Sequence, residues 1–436
     1  MFDWMDDIST QGASLDKLTG PYIPDASDCM RCGLCISLCP TYKLNQIEAE
    51  TPRSRIRTID KILNDTGKVF SEELIHLNNC TQCRVCETIC PSQMAYGQLF
   101  DQTREKLLTT QTTNSNRHFL APIGFKLLEY KKLFSAITVL IAGYQYSGLV
   151  YLVRKTPIVE WLKLDKADNL LPKVNLKSLA DNYPSSNPIK GTLGLFTGCM
   201  GTAFDQETLL ATLKVLNNLG FSVLVPKQQN CCGALHQHQG QRQIADQLAT
   251  YNIHVFNTLS VDAIIYTASA CGLMLKEYAQ KEALGLEKLK APLFDITEYL
   301  CEHWPQDIKL YTQDLLDKSV AVHEPCSQRN ITKVSEKKHE HTYRLLEKVT
   351  GLSVNSLPDN QTCCGAGGLH CLTHPEIAGA LRALKLKYFK DAAADYLVST
   401  NLGCALHLNS GNTAKYSPVS PKVIHPIILI AKAWEN

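Results

Sequence analysis

A chain of 436 residues is too long for one hydrophobic core and implies two or three domains. Its 44 Lys and Arg balance 42 Asp and Glu, so no basic surplus points to nucleic acid and no acidic run points to a disordered tail. Eighteen cysteines in a chain this long argue against a secreted disulfide framework, which is usually small, and for metal in a reducing compartment.

The N-terminus, Met1 to Asp7, is acidic and has no apolar signal-peptide core, so the chain is expected in the cytoplasm. A first cysteine group follows as Cys29-x2-Cys32-x2-Cys35-x3-Cys39-Pro40, and a second as Cys80-x2-Cys83-x2-Cys86-x3-Cys90-Pro91. Three thiolates at a spacing of three can wrap one four-iron cube, because a short loop points each sulfur at a different iron. The fourth ligand must come from elsewhere, and in the bacterial two-cluster arrangement it comes from the other motif. That wiring gives cluster I Cys29, Cys32, Cys35 and Cys90, and cluster II Cys80, Cys83, Cys86 and Cys39. Zinc is the alternative, but four-cysteine zinc sites pair two Cys-x2-Cys doublets and call for neither a third equally spaced cysteine nor Cys-Pro. The proline after each fourth cysteine is expected to end the loop and open a helix. Residues 1–116 are therefore read as a helical, ferredoxin-type domain holding two 4Fe-4S clusters.

Residues 117–190 hold no cysteine and are read as a helical segment followed by a linker. Leu133 to Val153 is uncharged, with Lys131 and Lys132 before it and Arg154 and Lys155 after it. Its length reaches that of a membrane span. Its tyrosines and flanking lysines suit a membrane interface better than a bilayer centre. A buried helix, or a surface that docks another subunit, is the alternative. Asp181 to Gly191 reads as a polar linker.

From Thr192 onward the pattern becomes α/β and repeats. In the first copy, residues 191–310, a short apolar strand ends at Cys199. A helix Glu207–Leu219, a strand Phe221–Val225 and Cys231-Cys232-Gly233 follow. A helix over about Gln241–Leu259 and a strand Ala263–Tyr266 then lead to Cys271. In the second copy, residues 311–436, strand Ser319–His323 leads to Cys326 and a helix spans about Glu340–Val349. Cys363-Cys364-Gly365 precedes helix Pro375–Tyr388, and strand Tyr396–Ser399 leads to Cys404. The expected fold is α+β overall: a helical ferredoxin domain, a helical middle segment and a pseudo-twofold pair of α/β lobes. Adjacent cysteines cannot easily chelate one zinc tetrahedrally, but they can hold two irons of one cluster. Each lobe offers four thiols from three loops: Cys199, Cys231, Cys232 and Cys271, then Cys326, Cys363, Cys364 and Cys404. Most follow strands, where open α/β sheets build sites. One or two further iron–sulfur clusters are expected there; the alternative is metal-free lobes with buried cysteines. Cys301 and Cys371 fall outside both patterns and are read as unligated.

With these motifs in place, the lobes resemble the cysteine-rich CCG domain of heterodisulfide reductase subunits. The whole chain, over about residues 25–430, resembles the iron–sulfur subunit of bacterial glycolate oxidase and is similar to the anaerobic glycerol-3-phosphate dehydrogenase C subunit. Pro52-Arg-Ser-Arg-Ile56, Tyr96-Gly97 and Asn401-Leu-Gly-Cys404 carry the resemblance beyond the cysteine motifs. One departure stands out. The full CCG pattern ends in Cys-x2-Cys and gives five thiols per lobe, whereas here the last position is Met274 in one lobe and His407 in the other. Met274 reads as core filler, and His407 as a candidate nitrogen ligand of the second lobe.

The resemblance implies an electron-transfer subunit of a 2-hydroxy-acid dehydrogenase, at the inner face of the cytoplasmic membrane. A separate FAD subunit would oxidise glycolate to glyoxylate, and electrons would pass through this chain to a membrane quinone. The sequence has no dinucleotide fingerprint, so no flavin is expected in this chain. The same role for D-lactate or glycerol-3-phosphate is the first alternative. A thiol/disulfide reductase with catalytic lobes is the second, and a metal-free docking scaffold the third. His236, His238, His323 and His370 could handle protons during quinone reduction; the plainer reading makes them polar loop residues at the surface.

Overall fold

The structure, a computed structural model, describes residues 25–110, 131–149, 153, 156, 174–185, 187–278, 288–330, 340–410 and 422–434. Its N-terminal part is helical: Pro40–Asn45, Pro52–Leu63, Ser71–Asn78 and Tyr96–Thr110 surround the two cysteine loops. Pro40 sits in the first turn of its helix, where a missing N–H costs nothing. Pro91 behaves differently from expectation. It lies in a turn, and the next helix opens only at Tyr96. Thr51 caps helix Pro52–Leu63 by accepting from the Ser54 amide at 3.3 Å. The helix then presents Ile56, Ile59 and Ile62 at helical spacing to Leu77, Leu99 and Phe100. Each such side chain withdrawn from water contributes about 1.5–3 kcal/mol.

The C-terminal part contains two sheets. The first runs β1 (Asn182–Tyr183), β3 (Phe221–Leu224), β2 (Gly191–Phe196), β4 (Ala263–Tyr266), β5 (Leu293–Asp295), parallel except for β1. The second runs β7 (Ser353–Ser356), β6 (Ser319–His323), β8 (Tyr396–Ser399), β9 (Val423–Ile424), all parallel. Apart from β1 the two orders are equivalent, which is the repeat read from the sequence. Asn182–Tyr183 lies inside the stretch read as a linker; it is an edge strand, paired antiparallel on β3. The central strands are apolar and covered on both faces, as parallel strands need to be.

The lobes share one core. Helix Pro426–Ala433, the last of the second lobe, packs on helix Gln206–Asn218 of the first. Helix Ile296–His303, the last of the first lobe, packs on helix Glu340–Leu346 of the second. This exchange buries Leu209, Leu213, Leu300, Leu345, Ile427 and Ile430 in a single cluster.

Within the uncharged stretch, a helix covers Lys131–Tyr146, while Val150 to Leu152 lie outside the described residues. Thr138 and Ala142 are buried, Phe134 meets Phe204 of the first lobe edge-on, and the Tyr146 hydroxyl donates to the Val174 carbonyl at 3.0 Å. Leu133, Val139 and Leu140 face outward, Leu140 being 71% exposed. Among the described residues no helix is long and apolar enough to cross a membrane.

Candidate metal centres

In both N-terminal motifs the residues flanking the middle cysteine adopt left-handed backbone. These are Arg31 (φ 55°) and Gly33 (φ 84°) around Cys32, and Gln82 (φ 54°) and Arg84 (φ 54°) around Cys83. Such turns are costly outside glycine; here they curl three successive thiols around one space. Two cavities result. One is lined by Cys29, Cys32, Cys35, Cys86 and Cys90. The other is lined by Cys39, Cys80, Cys83 and Cys86. Cys39 thus stands with the second motif and Cys90 with the first.

The second cavity has its own cation. Arg55 is buried, donates to Glu50 Oε2 at 2.5 Å and Thr41 Oγ1 at 2.9 Å, and reaches Cys39 Sγ at 3.6 Å. Glu50 in turn holds His76 and Asn79, each at 2.7 Å. A guanidinium beside a thiolate set offsets negative charge in a place water does not reach. This is the second arginine of Pro52-Arg-Ser-Arg-Ile56, and periodicity alone would have placed it on the surface. Tyr96 adds a hydroxyl 3.6 Å from Cys80 Sγ. Gly97 leaves the room through which Arg84 passes to Glu277 Oε1, 3.2 Å away on the first lobe.

The lobe thiols also converge. In the first, Cys199 Sγ donates to Cys231 Sγ at 3.6 Å, and Cys232 is hydrogen-bonded to Cys231 and Cys271. Those contacts, then burial, push Cys199 well up, whereas Cys231, the acceptor, is held well below the usual thiol range. In the second, Cys326 bonds Cys363, Cys363 bonds Cys364, and Cys364 bonds Cys404. Gly233 (φ 86°) and Gly365 (φ 94°) turn the chain directly beneath the paired cysteines. A Cβ on Gly365 would lie 2.7 Å from the Ala378 carbonyl, and one on Gly233 would lie 3.1 Å from Ala245. Each glycine amide donates back to the first cysteine of its pair, at 3.5 Å in the first lobe and 3.3 Å in the second. Four mutually close sulfurs, buried or half-buried, fit iron–sulfur ligation in each lobe. Isolated buried thiols would not gather in this way.

The histidines depart from the surface reading: His236, His323 and His370 are buried. His236 sits against Cys231. His370 is bonded to the Asn79 carbonyl at 3.1 Å, tying the second lobe to the N-terminal part. His238 is half-buried, 3.7 Å from Asp101. His407 is bonded to the Ala378 carbonyl at 3.1 Å and lies near the Cys364 carbonyl, so it is engaged with backbone. It is His323 that stands with Cys364 and Cys404. Met274 is buried in the apolar core. Cys301 donates to the His341 carbonyl at 3.2 Å and Cys371 to the Gly368 carbonyl at 3.8 Å, away from both thiol sets.

The N-terminal domain bridges the lobes at its second motif. Cys83 packs on Cys363 with Val85, and Cys326 lies against them. Asn330 donates to the Cys83 carbonyl at 2.9 Å, and Lys43 to Thr362 Oγ1 at 2.8 Å. Toward the first lobe the contacts are polar: Arg84 with Glu277, and Gln237 with Asp101 at 3.2 Å.

Comparison with known proteins agrees with this layout. A 4Fe-4S dicluster domain matches residues 25–94, and the cysteine-rich CCG domain matches residues 193–276 and 320–409. The chain belongs to the iron–sulfur proteins that join a dicluster ferredoxin domain to two CCG domains. Within that class it is 29% identical to the probable glycolate oxidase iron–sulfur subunit of Bacillus subtilis, over 93% of each chain. It is also 29% identical to the glycolate oxidase iron–sulfur subunit of Escherichia coli, over 94% of each. The family extends to a subunit of the dihydromethanophenazine:CoB–CoM heterodisulfide reductase of Methanosarcina acetivorans, 25% identical over 97% of this chain and 98% of that one. Its relatives are subunits of larger oxidoreductases, which implies a partner subunit.

Proposed function

We propose that the chain carries electrons for a 2-hydroxy-acid dehydrogenase, glycolate oxidase above all, from a separate FAD subunit to a membrane quinone. In this reading Cys29, Cys32, Cys35 and Cys90 hold one 4Fe-4S cluster, and Cys80, Cys83, Cys86 and Cys39 hold the other. The lining of the two cavities supports that crossed assignment. Such clusters accept and release electrons singly, which converts a two-electron oxidation into one-electron steps. The observation that carries the reading is the packing of Cys83 on Cys363 beside Cys326. A ligand of the second N-terminal site thereby touches a ligand of the second-lobe site, and the sites stand in series. Arg55 and Lys385 are buried cations beside the two sites, Lys385 donating to the Asp359 carbonyl.

The disulfide-reductase reading needs a fifth thiol. At that position Met274 is core and His407 is bonded to backbone, which favours the carrier role. The test uses the chain with its flavin subunit. Cys39→Ser should abolish the electron paramagnetic resonance signal of the Cys80, Cys83 and Cys86 cluster and stop quinone reduction, while glycolate still bleaches the flavin. Loss of the Cys29, Cys32 and Cys35 signal instead would overturn the crossed assignment. Persistent quinone reduction would overturn the series. Bleaching by D-lactate or glycerol-3-phosphate but not by glycolate would move the substrate to the alternative.

A further inference from the structure

Three residues before the first cysteine of each lobe, the central strand ends: β2 at Phe196 and β6 at His323. Phe196 is 2% exposed and packs among apolar side chains. His323 is equally buried, but a ring nitrogen and the sulfurs of Cys364 and Cys404 all lie within 4.8 Å of one another. His323 Nδ1 is hydrogen-bonded with Ser399 Oγ at 3.1 Å, which fixes the ring plane. Metal-bound imidazoles are held in this way, by a partner on the nitrogen that does not bind. The residue that sequence spacing offers, His407, is tied instead to the Ala378 carbonyl.

We propose that His323 is a ligand of the second-lobe centre, which then has the donor set Cys326, Cys363, Cys364, Cys404 and His323. Nδ1 donates to Ser399, and Nε2 carries the lone pair that binds iron. The imidazole arrives from the strand end, where the five-thiol pattern would supply a sulfur from the helix holding Cys404. A neutral nitrogen in place of a thiolate leaves the centre one negative charge lighter and raises its reduction potential. At the same point the first lobe has Phe196, whose side chain offers no donor atom. The two lobes are therefore inequivalent at the strand end. This inference rests on the reading that the second lobe holds an iron–sulfur cluster.

The experiment is pulsed electron paramagnetic resonance on the anaerobically purified, reduced full chain, with and without nitrogen-15 histidine, alongside iron analysis. Wild type should show a nitrogen coupling of the size given by a directly bound imidazole. His323→Phe, which installs the first-lobe residue, should lose it. His323→Cys should lose the coupling, keep the iron and lower the potential of that signal, which separates ligand loss from misfolding of the Phe variant. His407→Gln should leave the coupling intact. A coupling of only the weak, hydrogen-bonded size, or one that survives in His323→Cys, overturns the proposal. An iron count of about eight per chain, unchanged by Cys363→Ser with Cys364→Ser, shows that the underlying reading has failed and the ligand falls with it.

Discussion

The two lobes are one fold used twice, and their differences are concentrated at the thiols. Both have the same parallel strand order, the same glycine turn beneath paired cysteines and the same third loop. An alanine packs under each glycine, Ala245 in one lobe and Ala378 in the other. Seven residues further along that helix, the first lobe buries Asn252 and the second buries Lys385. Asn252 is an amide that braces its loop, donating to the Cys231 carbonyl at 2.9 Å. Lys385 is a cation beside Cys363 and Cys364. Phe196 corresponds to His323 under the same pseudo-symmetry, and among the described residues it is the second lobe whose thiols pack on Cys83. The repeat supplies two sets of converging thiols; on the proposed reading, its divergence would fit one copy to exchange electrons with the N-terminal clusters.

The sharpest way to break this comparison is to empty one lobe at a time. Cys363→Ser with Cys364→Ser should lose about four irons and nearly all quinone reduction, with dye reduction retained. Cys231→Ser with Cys232→Ser should leave the electron paramagnetic resonance signals of the N-terminal and second-lobe clusters unchanged. If both pairs of changes erase the same signals, the lobes do not act as separate sites. Exchanging the buried charge comes next. Lys385→Gln should lower the reduction potential of the second-lobe centre by on the order of 100 mV, from one unit charge removed at an effective dielectric of about 20. Potentiometric titration followed by electron paramagnetic resonance reads this, and a shift confined to the N-terminal signals would place the cation elsewhere in the circuit.

A smaller effect concerns the middle helix, which packs on the first lobe through Phe134. Leu133→Ser, Val139→Ser and Leu140→Ser remove an exposed apolar face. They should move the complex from vesicles to supernatant while changing stability by no more than about 0.5 kcal/mol each. Unchanged vesicle binding would assign that face to a partner subunit.

An effect confined to stability lies at the caps of the two exchanged helices. Asp295 accepts from the Thr297 amide at 2.8 Å, and His425 accepts from the Ile427 amide at 3.1 Å. Burial pushes the Asp295 carboxyl up to about 6 and the His425 imidazole down to about 3. The unfolded chain releases the Asp295 proton near pH 4, so this cap loses stability as pH rises from about 4 to about 6. The unfolded chain binds a proton on His425 below about pH 6.5 and the folded chain does not, so the second cap loses stability as pH falls through that range. The two slopes oppose each other in the wild type. Relative to the wild type, Asp295→Asn should tilt stability toward rising with pH between about 4 and 6, and His425→Asn should tilt it toward falling, each by up to about 1.4 kcal/mol per pH unit. Denaturant midpoints against pH that stay parallel in both variants would show that these groups do not titrate on unfolding.

The sequence by itself determined the local geometry of the centres. Cysteine spacing dictates which thiols one short loop can turn toward one point, so the two N-terminal triplets and the Cys-Cys-Gly turns were legible at once. The strands that lead into the lobe cysteines were legible too, as short apolar runs: β4, β6 and β8 fall where the pattern predicts, and the intervening helices shift only at their ends. Tertiary structure decided everything that depends on distant segments meeting. Arg55 and Lys385 look like surface cations until helix packing buries them against sulfur. Asn182–Tyr183 becomes a strand only because β3 offers it an edge. The helix exchange that joins the lobes depends on apolar stripes that any partner helix could cover. His323 and His407 are both isolated histidines in the sequence. Only the closing of β6 against β8 brings one to the thiols and leaves the other bonded to a backbone carbonyl. Spacing fixes contacts within a loop, where few conformations are open, whereas contacts between loops depend on how whole elements pack.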